Sequence, residues 1–156
     1  YRRRDDIRPR FAGPANTTPA TALHAGVLYF RASAMRKILS AHFRRREFAC
    51  GCQCGFDTID TQTLEILENV RRQFGRVKVT SGARCPAHNA AIGGAENSQH
   101  LRGRAADIIA LDADDNDVQD WLIDNFPQVS IGRYDVFTHV DTRTDGPAYW
   151  DRRGKA

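Results

Sequence analysis

Between Asp60 and Phe74 the apolar residues Leu64, Leu67, Val70 and Phe74 recur at helical spacing with mostly polar residues between them. That period predicts a helix. Asp60 has an N-cap side chain and Gly75 suits the C-terminal stop. A second stripe, Val118, Trp121, Leu122 and Phe126, predicts a helix over 114–126, ended by Pro127. Elsewhere the period changes. Val77–Ser81 reads as a strand, and so does Ala105–Leu111, which is apolar except for Asp107. Further on, Thr138, Val140 and Thr142 alternate with Phe137, His139, Asp141 and Arg143, the two-residue repeat of a strand. Pro86 opens a short helix to Ile92, Gly93-Gly94 permits a tight turn, and Gly132–Tyr134 leads into the last strand. The elements follow in the order helix, strand, helix, strand, helix, strand.

The first forty residues differ in kind. Tyr1–Arg10 is arginine-rich, and Phe11–Thr21 has the Pro, Ala and Thr composition of a linker. Leu23–Leu39 can form a short helix with Tyr29, Ala32, Met35, Ile38 and Leu39 on one side. We therefore divide the chain into a basic arm and linker, 1–40, and a domain, 41–156. Charge sharpens the division. Residues 1–46 hold 11 Lys and Arg against 2 Asp, a net of +9; residues 47–156 hold 12 against 17, a net of −5. A basic head suggests an anionic surface or acidic partner protein, the plain alternative being a solvated arm. Mean hydropathy is −0.54, and no apolar run approaches the roughly 18 residues of a membrane helix. A chain that starts at Tyr1 reads as a processed product or a fragment.

The candidate chemistry lies in Ser98-Gln99-His100-Leu101-Arg102-Gly103-Arg104-Ala105-Ala106-Asp107. Gly103 suits a turn, so His100 falls on a loop and Asp107 inside a strand. A carboxylate in an apolar strand costs several kcal/mol unless it is paired or bound to a metal. His139 is the natural third ligand, and Asp141 and Arg143 share its strand face. Two histidines and one carboxylate are a ligand set for catalytic zinc, with a fourth position open.

Other clusters carry less. Cys50, Cys52 and Cys54, with Cys85 the only other cysteine, admit three readings: a disulfide to Cys85, a four-cysteine metal site, or free thiols. The spacing C-x-C-x-C is shorter than the usual gap between metal ligands. Asp112, Asp114, Asp115 and Asp117 lack the glycine and distal glutamate of a calcium loop and read as a solvated helix start. His88 reads as a surface or packing residue.

The run S-x-H-x-x-G-x-A-A-D, followed by a histidine in a later strand, resembles the zinc D-alanyl-D-alanine carboxypeptidase and murein endopeptidase family. That family includes VanX-type dipeptidases and phage endolysins, and shares its zinc site with the Hedgehog signalling domain. The similarity extends upstream through Val79-Thr80-Ser81-Gly82-Ala83-Arg84-Cys85-Pro86, Asn89 and Ile92-Gly93-Gly94, and downstream to Gly132-Arg133-Tyr134. It reaches back to Phe43 and Phe48, an aromatic pair expected to pack on the core. The resemblance implies an α+β domain with a small antiparallel sheet that carries Zn2+ on one face through His100, Asp107 and His139, flanked by helices.

It also implies amide hydrolysis, which needs a group for the oxyanion and a carrier for the proton. Arg84 stands where the family's S-G-x-R arginine sits and is the candidate for an oxyanion or substrate carboxylate. VanX-like relatives place a glutamate three residues before the last histidine, but that position here is Val136. Asp141, then Asp135, are the candidate bases; Asp141 could instead orient Arg84 or Arg143. The implied substrate is the stem peptide or cross-bridge of peptidoglycan, cleaved by endopeptidase or carboxypeptidase action. The setting is a phage-encoded enzyme, on the virion through residues 1–40 and its tail proteins, exported to the wall or periplasm, or in the host cytoplasm as a plain endolysin. No nucleic-acid partner is expected. The alternative is a non-catalytic structural or wall-binding virion component that keeps zinc for folding.

Overall fold

The computed structural model describes residues 38–155. The arm, and the helix expected over Leu23–Leu39 apart from its last two residues, lie outside them. Ile38 makes an isolated antiparallel bridge with Arg44.

The capped stripe forms helix α1, Thr61–Phe74. Asp60 caps it as its carboxylate accepts the Thr63 N–H at 2.7 Å, and Gly75 ends it with a φ of 83°. The other elements are β1 (Val77–Ser81), α2 (Pro86–Ala91), β2 (Ala105–Ala110), α3 (Asp115–Asn125), β3 (Ser130–Arg133), β4 (Thr138–Asp141) and β5 (Tyr149–Asp151). Asp114 caps α3 by accepting the Asn116 N–H, and strands β1, β2 and β4 and the limits of α2 and α3 follow the sequence pattern to within one or two residues. Two strands do not. Ser130–Arg133 is a strand in its own right, not a lead-in, and β5 had no sequence counterpart.

The sheet order is β1-β2-β4-β3-β5. The first three pairings are antiparallel, but β3 and β5 are parallel, so the expected purely antiparallel sheet is corrected. The reason is topological. Strand β4 ends beside the start of β3, so a chain crossing that end to reach the far side of β3 must run in the direction of β3. Backbone contacts secure the crossing: Ile131 N–H donates to the Ala148 carbonyl at 3.1 Å, and Ala148 N–H to Ser130 Oγ at 2.9 Å.

Alternation assigns the two faces. Ala106, Ile108, Val140 and Ile131 point to one side and are buried with Leu64, Leu67 and Val70 of α1 and Val118 and Leu122 of α3. Each of the larger side chains contributes about 1.5–3 kcal/mol on burial. The helices thus cover one face, and the other is left for Asp107, His139 and Asp141. Phe43 and Phe48 meet at 5.9 Å between ring centroids and are fully buried in the same core.

Candidate active site

The strand registers build a row across the open face: Ser81 opposite Asp107, Asp107 opposite His139, His139 opposite Gly132, and Gly132 opposite Trp150. Directly opposed residues share a face, so Asp107 and His139 are neighbours by register alone. His100 comes from outside the sheet, on a 3-10 turn over Gln99–Arg102. Gly103 ends that turn with a φ of 65°, and a Cβ there would lie 2.6 Å from the Thr58 carbonyl oxygen. Both the conformation and the space require glycine.

The three side chains converge. His100 Nε2 is 3.2 Å from Asp107 Oδ1 and 3.3 Å from His139 Nδ1, and His139 Nδ1 is 2.7 Å from Asp107 Oδ1. All three are buried. Their outer atoms are held by fixed partners. His100 Nδ1 is 2.6 Å from the Gly82 carbonyl, which only accepts, so the proton is on Nδ1 and the Nε2 lone pair faces inward. His139 Nε2 donates to Asp141 Oδ2 at 3.1 Å, turning Nδ1 inward. Arg84 donates through Nη2 to Asp107 Oδ2 and through Nε to Ser81 Oγ at 2.7 Å. This is how metal-binding histidines and carboxylates are oriented.

Three inward acceptors at about 3 Å repel unless a cation stands among them. A proton between His139 Nδ1 and Asp107 Oδ1 would relieve the same repulsion. Burial alone would lower the His139 pKa, but carboxylates at both ring nitrogens raise it. Burial would raise the Asp107 pKa, yet contact with His100 and His139 holds it well below the usual carboxylate range. The donor set fits a divalent cation of borderline softness, as zinc is.

The centre lies in the floor of a cleft of about 570 Å³. Arg84, Gln99 and the Gly93–Ala95 turn line one side; Tyr134, Phe137, Trp150 and Arg143 line the other. Trp150 packs 5.1 Å from the His139 ring, with Arg143 Cζ 5.6 Å from the indole centroid. A Cβ at Gly132 would come within 2.4 Å of that indole, so the strand glycine makes room for the wall. Gln99 Oε1 is buried without a hydrogen-bond partner among the described residues.

The two carboxylates considered as proton carriers lie in different places. Asp141 lines the cleft, fully buried. Its Oδ1 accepts Arg143 N–H and Nε–H, at 3.1 and 2.9 Å, and its Oδ2 accepts His139 Nε2–H and Arg143 Nη2–H, the latter at 2.6 Å. Burial would raise its pKa, but Arg143 and His139 hold it far below the ordinary range. Asp135 is exposed, does not line the cleft, and accepts the Gly154 N–H at 3.0 Å. Trp150 and the Gly82 carbonyl were not singled out from the sequence. The first depends on a non-local pairing, and the second is a backbone atom that leaves no mark on composition.

No curated protein matches this chain. The Peptidase M15 family model matches residues 41–141, which is more than half of the chain and runs from just before Phe43 through His139 and Asp141. With that match laid over a converged His-Asp-His set in an open cleft, the chain belongs to peptidase family M15.

Proposed function

We propose that this protein is a zinc-dependent hydrolase of peptide bonds in bacterial peptidoglycan, acting on stem peptides or cross-bridges as an endopeptidase or a D-Ala-D-Ala carboxypeptidase. The observation that carries the reading is the convergence of His100 Nε2, Asp107 Oδ1 and His139 Nδ1 in the floor of the cleft. These three atoms would hold the zinc. Zinc bound there supplies Lewis acidity towards a peptide carbonyl and lowers the pKa of water.

The chain's own residues do the rest. Arg84 lines the cleft and has one face on Asp107 and Ser81, while its Nη1 makes no hydrogen bond among the described residues. That arrangement suits an oxyanion or a substrate carboxylate. Asp141 fixes the ring plane and tautomer of His139, and Arg143 fixes Asp141. A carboxylate so stabilised in its charged form is a weak base, so orientation is its principal role. Trp150, Tyr134 and Phe137 form an apolar wall against which a short peptide can lie while its polar backbone faces Gln99 and the Gly93–Ala95 turn. The cleft's arginines suit the carboxylates of stem peptides.

We further propose a phage-encoded, virion-associated enzyme whose basic arm tethers it to a particle or to the anionic wall. The net +9 of residues 1–46 supports this reading. The test is digestion of purified peptidoglycan with and without a chelator, with muropeptide masses read afterwards. Chelator-sensitive release of peptides, restored by added zinc, is the expected result, and the masses identify the bond. Metal-loaded protein that releases nothing would overturn the reading in favour of a zinc-stabilised structural component.

A further inference from the structure

We propose a second metal site, distinct from the cleft: a zinc-type ion held by the four thiolates of Cys50, Cys52, Cys54 and Cys85. The four Sγ atoms lie within 4.8 Å of one another. Cys50 and Cys52 are 3.4 Å apart at sulfur, and Cys52 and Cys85 are 3.5 Å apart. Four sulfurs placed tetrahedrally at about 2.3 Å from zinc stand roughly 3.8 Å from each other. A disulfide needs about 2.05 Å. The cluster therefore has the dimensions of a coordination shell.

The short C-x-C-x-C spacing argued against such a site on sequence grounds, and the backbone removes the objection. Gln53 has a φ of 61°, the only non-glycine residue among those described with a positive φ. Its N–H donates to the Cys50 carbonyl at 2.9 Å, closing a tight turn, and Gly55 follows with a φ of 86°. The reversal brings Cys52 and Cys54 back beside Cys50, which an extended strand of that spacing would not do. A left-handed non-glycine residue is unfavourable and persists where its surroundings require it.

The sulfurs are also prepared to be thiolates. Cys85 N–H donates to Cys50 Sγ at 3.3 Å, and His88 N–H donates to Cys85 Sγ at 3.4 Å. N–H donors placed at a sulfur favour its thiolate form over the thiol. On binding, each remaining thiol proton goes to solvent.

The position gives the site a purpose. Cys50–Cys54 follows the segment of Phe43 and Phe48; Cys85 follows Gly82 and Arg84, which hold His100 and Asp107. The two segments are joined by Ala83 N–H donating to the Phe48 carbonyl at 2.8 Å and by the close fit of Gly82, where a Cβ would lie 2.5 Å from Phe48 Cα. A tetrathiolate ion would clamp the loop that presents Gly82 and Arg84 to the catalytic centre.

The experiment is metal analysis and cobalt substitution on the full chain, comparing wild type, His100→Ala and a Cys52→Ser/Cys54→Ser double variant. Wild type should bind two equivalents. The cobalt form should show a near-ultraviolet thiolate-to-cobalt band. His100→Ala should lose one equivalent and keep the band; the double variant should lose the band and keep one equivalent. Because the double variant can fail to fold, an organomercurial titration of wild type accompanies it and should release one equivalent. A single equivalent in wild type without the thiolate band, or cysteines protected from alkylation as disulfides in the freshly purified protein, would overturn the proposal. Failure of hydrolysis in the cleft would leave these results unchanged, so the two readings stand or fall separately.

Discussion

Replacing Asp141 with Asn tests how the centre is held. Both carboxylate oxygens accept two hydrogen bonds, from His139 Nε2 and three donors of Arg143. An amide keeps one acceptor. Whichever way it is turned, its NH2 group faces two N–H donors in a fully buried position. Turned one way it repels His139 Nε2; turned the other it repels the Arg143 backbone and Nε. Charge-assisted hydrogen bonds are worth roughly 1.5–3 kcal/mol each, but Arg143 is partly exposed and solvent screens its share. The expected loss of stability is therefore about 1–3 kcal/mol, read as a fall in melting temperature. The larger consequence is for His139, whose ring and tautomer lose their anchor. Removing such a partner costs about 10–100-fold in metal affinity, and chelator competition should show a shift of that size. Hydrolysis at limiting metal should fall with it, whereas Asp135→Asn should leave both unchanged. If Asp141→Asn binds metal as tightly as wild type and loses only hydrolysis, Asp141 handles the proton and the orienting role assigned to it is wrong.

Three further outcomes follow from the geometry. Gly132→Ala should displace the Trp150 indole, raising KM more than it lowers kcat, changing tryptophan fluorescence, and costing about 1–3 kcal/mol as overpacked sites do; unchanged fluorescence would show that the indole is not where the wall requires it. A chain beginning at Ile38, which keeps the core-packed Leu39, should cleave a soluble peptide at the wild-type rate while binding whole particles or walls less well; lost peptide cleavage would make the arm part of the catalytic domain. Asp112 accepts from the Arg76 backbone and guanidinium, which lower its pKa to about 2. A depressed carboxylate pKa stabilises the fold above its unfolded value near 3.8 and loses that contribution as pH falls towards about 2. Asp112→Asn should therefore flatten the stability profile between those limits and leave the profile's shape near neutrality unaltered, as followed by thermal melts across pH.

Much of this was legible because the informative signals were local. Helix α1 carries its own cap residues and a four-turn apolar stripe, so its limits could be read directly. Strand β2 announces itself by an apolar run, and the single acid within it by being out of place. What escaped was short or non-local. Strand β3 has four residues and β5 three, too few for a period to show. The parallel direction of β5 follows from where β4 ends, which no window of sequence contains. Strand alternation puts Asp141 on the face of His139, but whether it is free or engaged depends on Arg143 folding back two residues along the chain. The closeness of the four sulfurs is hidden for a similar reason: it depends on Gln53 taking a conformation that composition does not advertise.

The precision of the catalytic row needs a cause, since the open face of a sheet has little packing of its own. The covered face supplies it. Side chains alternate along a strand, so a one-residue slip of β4 against β2 would exchange the two faces of one strand. His139 and Asp141 would then turn towards α1 and α3, and Val140 would turn to solvent. Losing burial of Val140 alone forfeits about 1.5–3 kcal/mol, and an unpaired carboxylate placed in the core costs several more. The same holds for β2, where Ala106 and Ile108 lock Asp107 outward, and for β3, where Ile131 sets Gly132 opposite His139. On β1 a register shift between Val79 and Ser81 brings Ser81 opposite Asp107, where its hydroxyl receives Arg84. The hydrophobic core thus determines the geometry of the His-Asp-His set from behind. Without a cation the three buried acceptors would face one another at a cost, and the fold, already fixed by the other face, holds them in place.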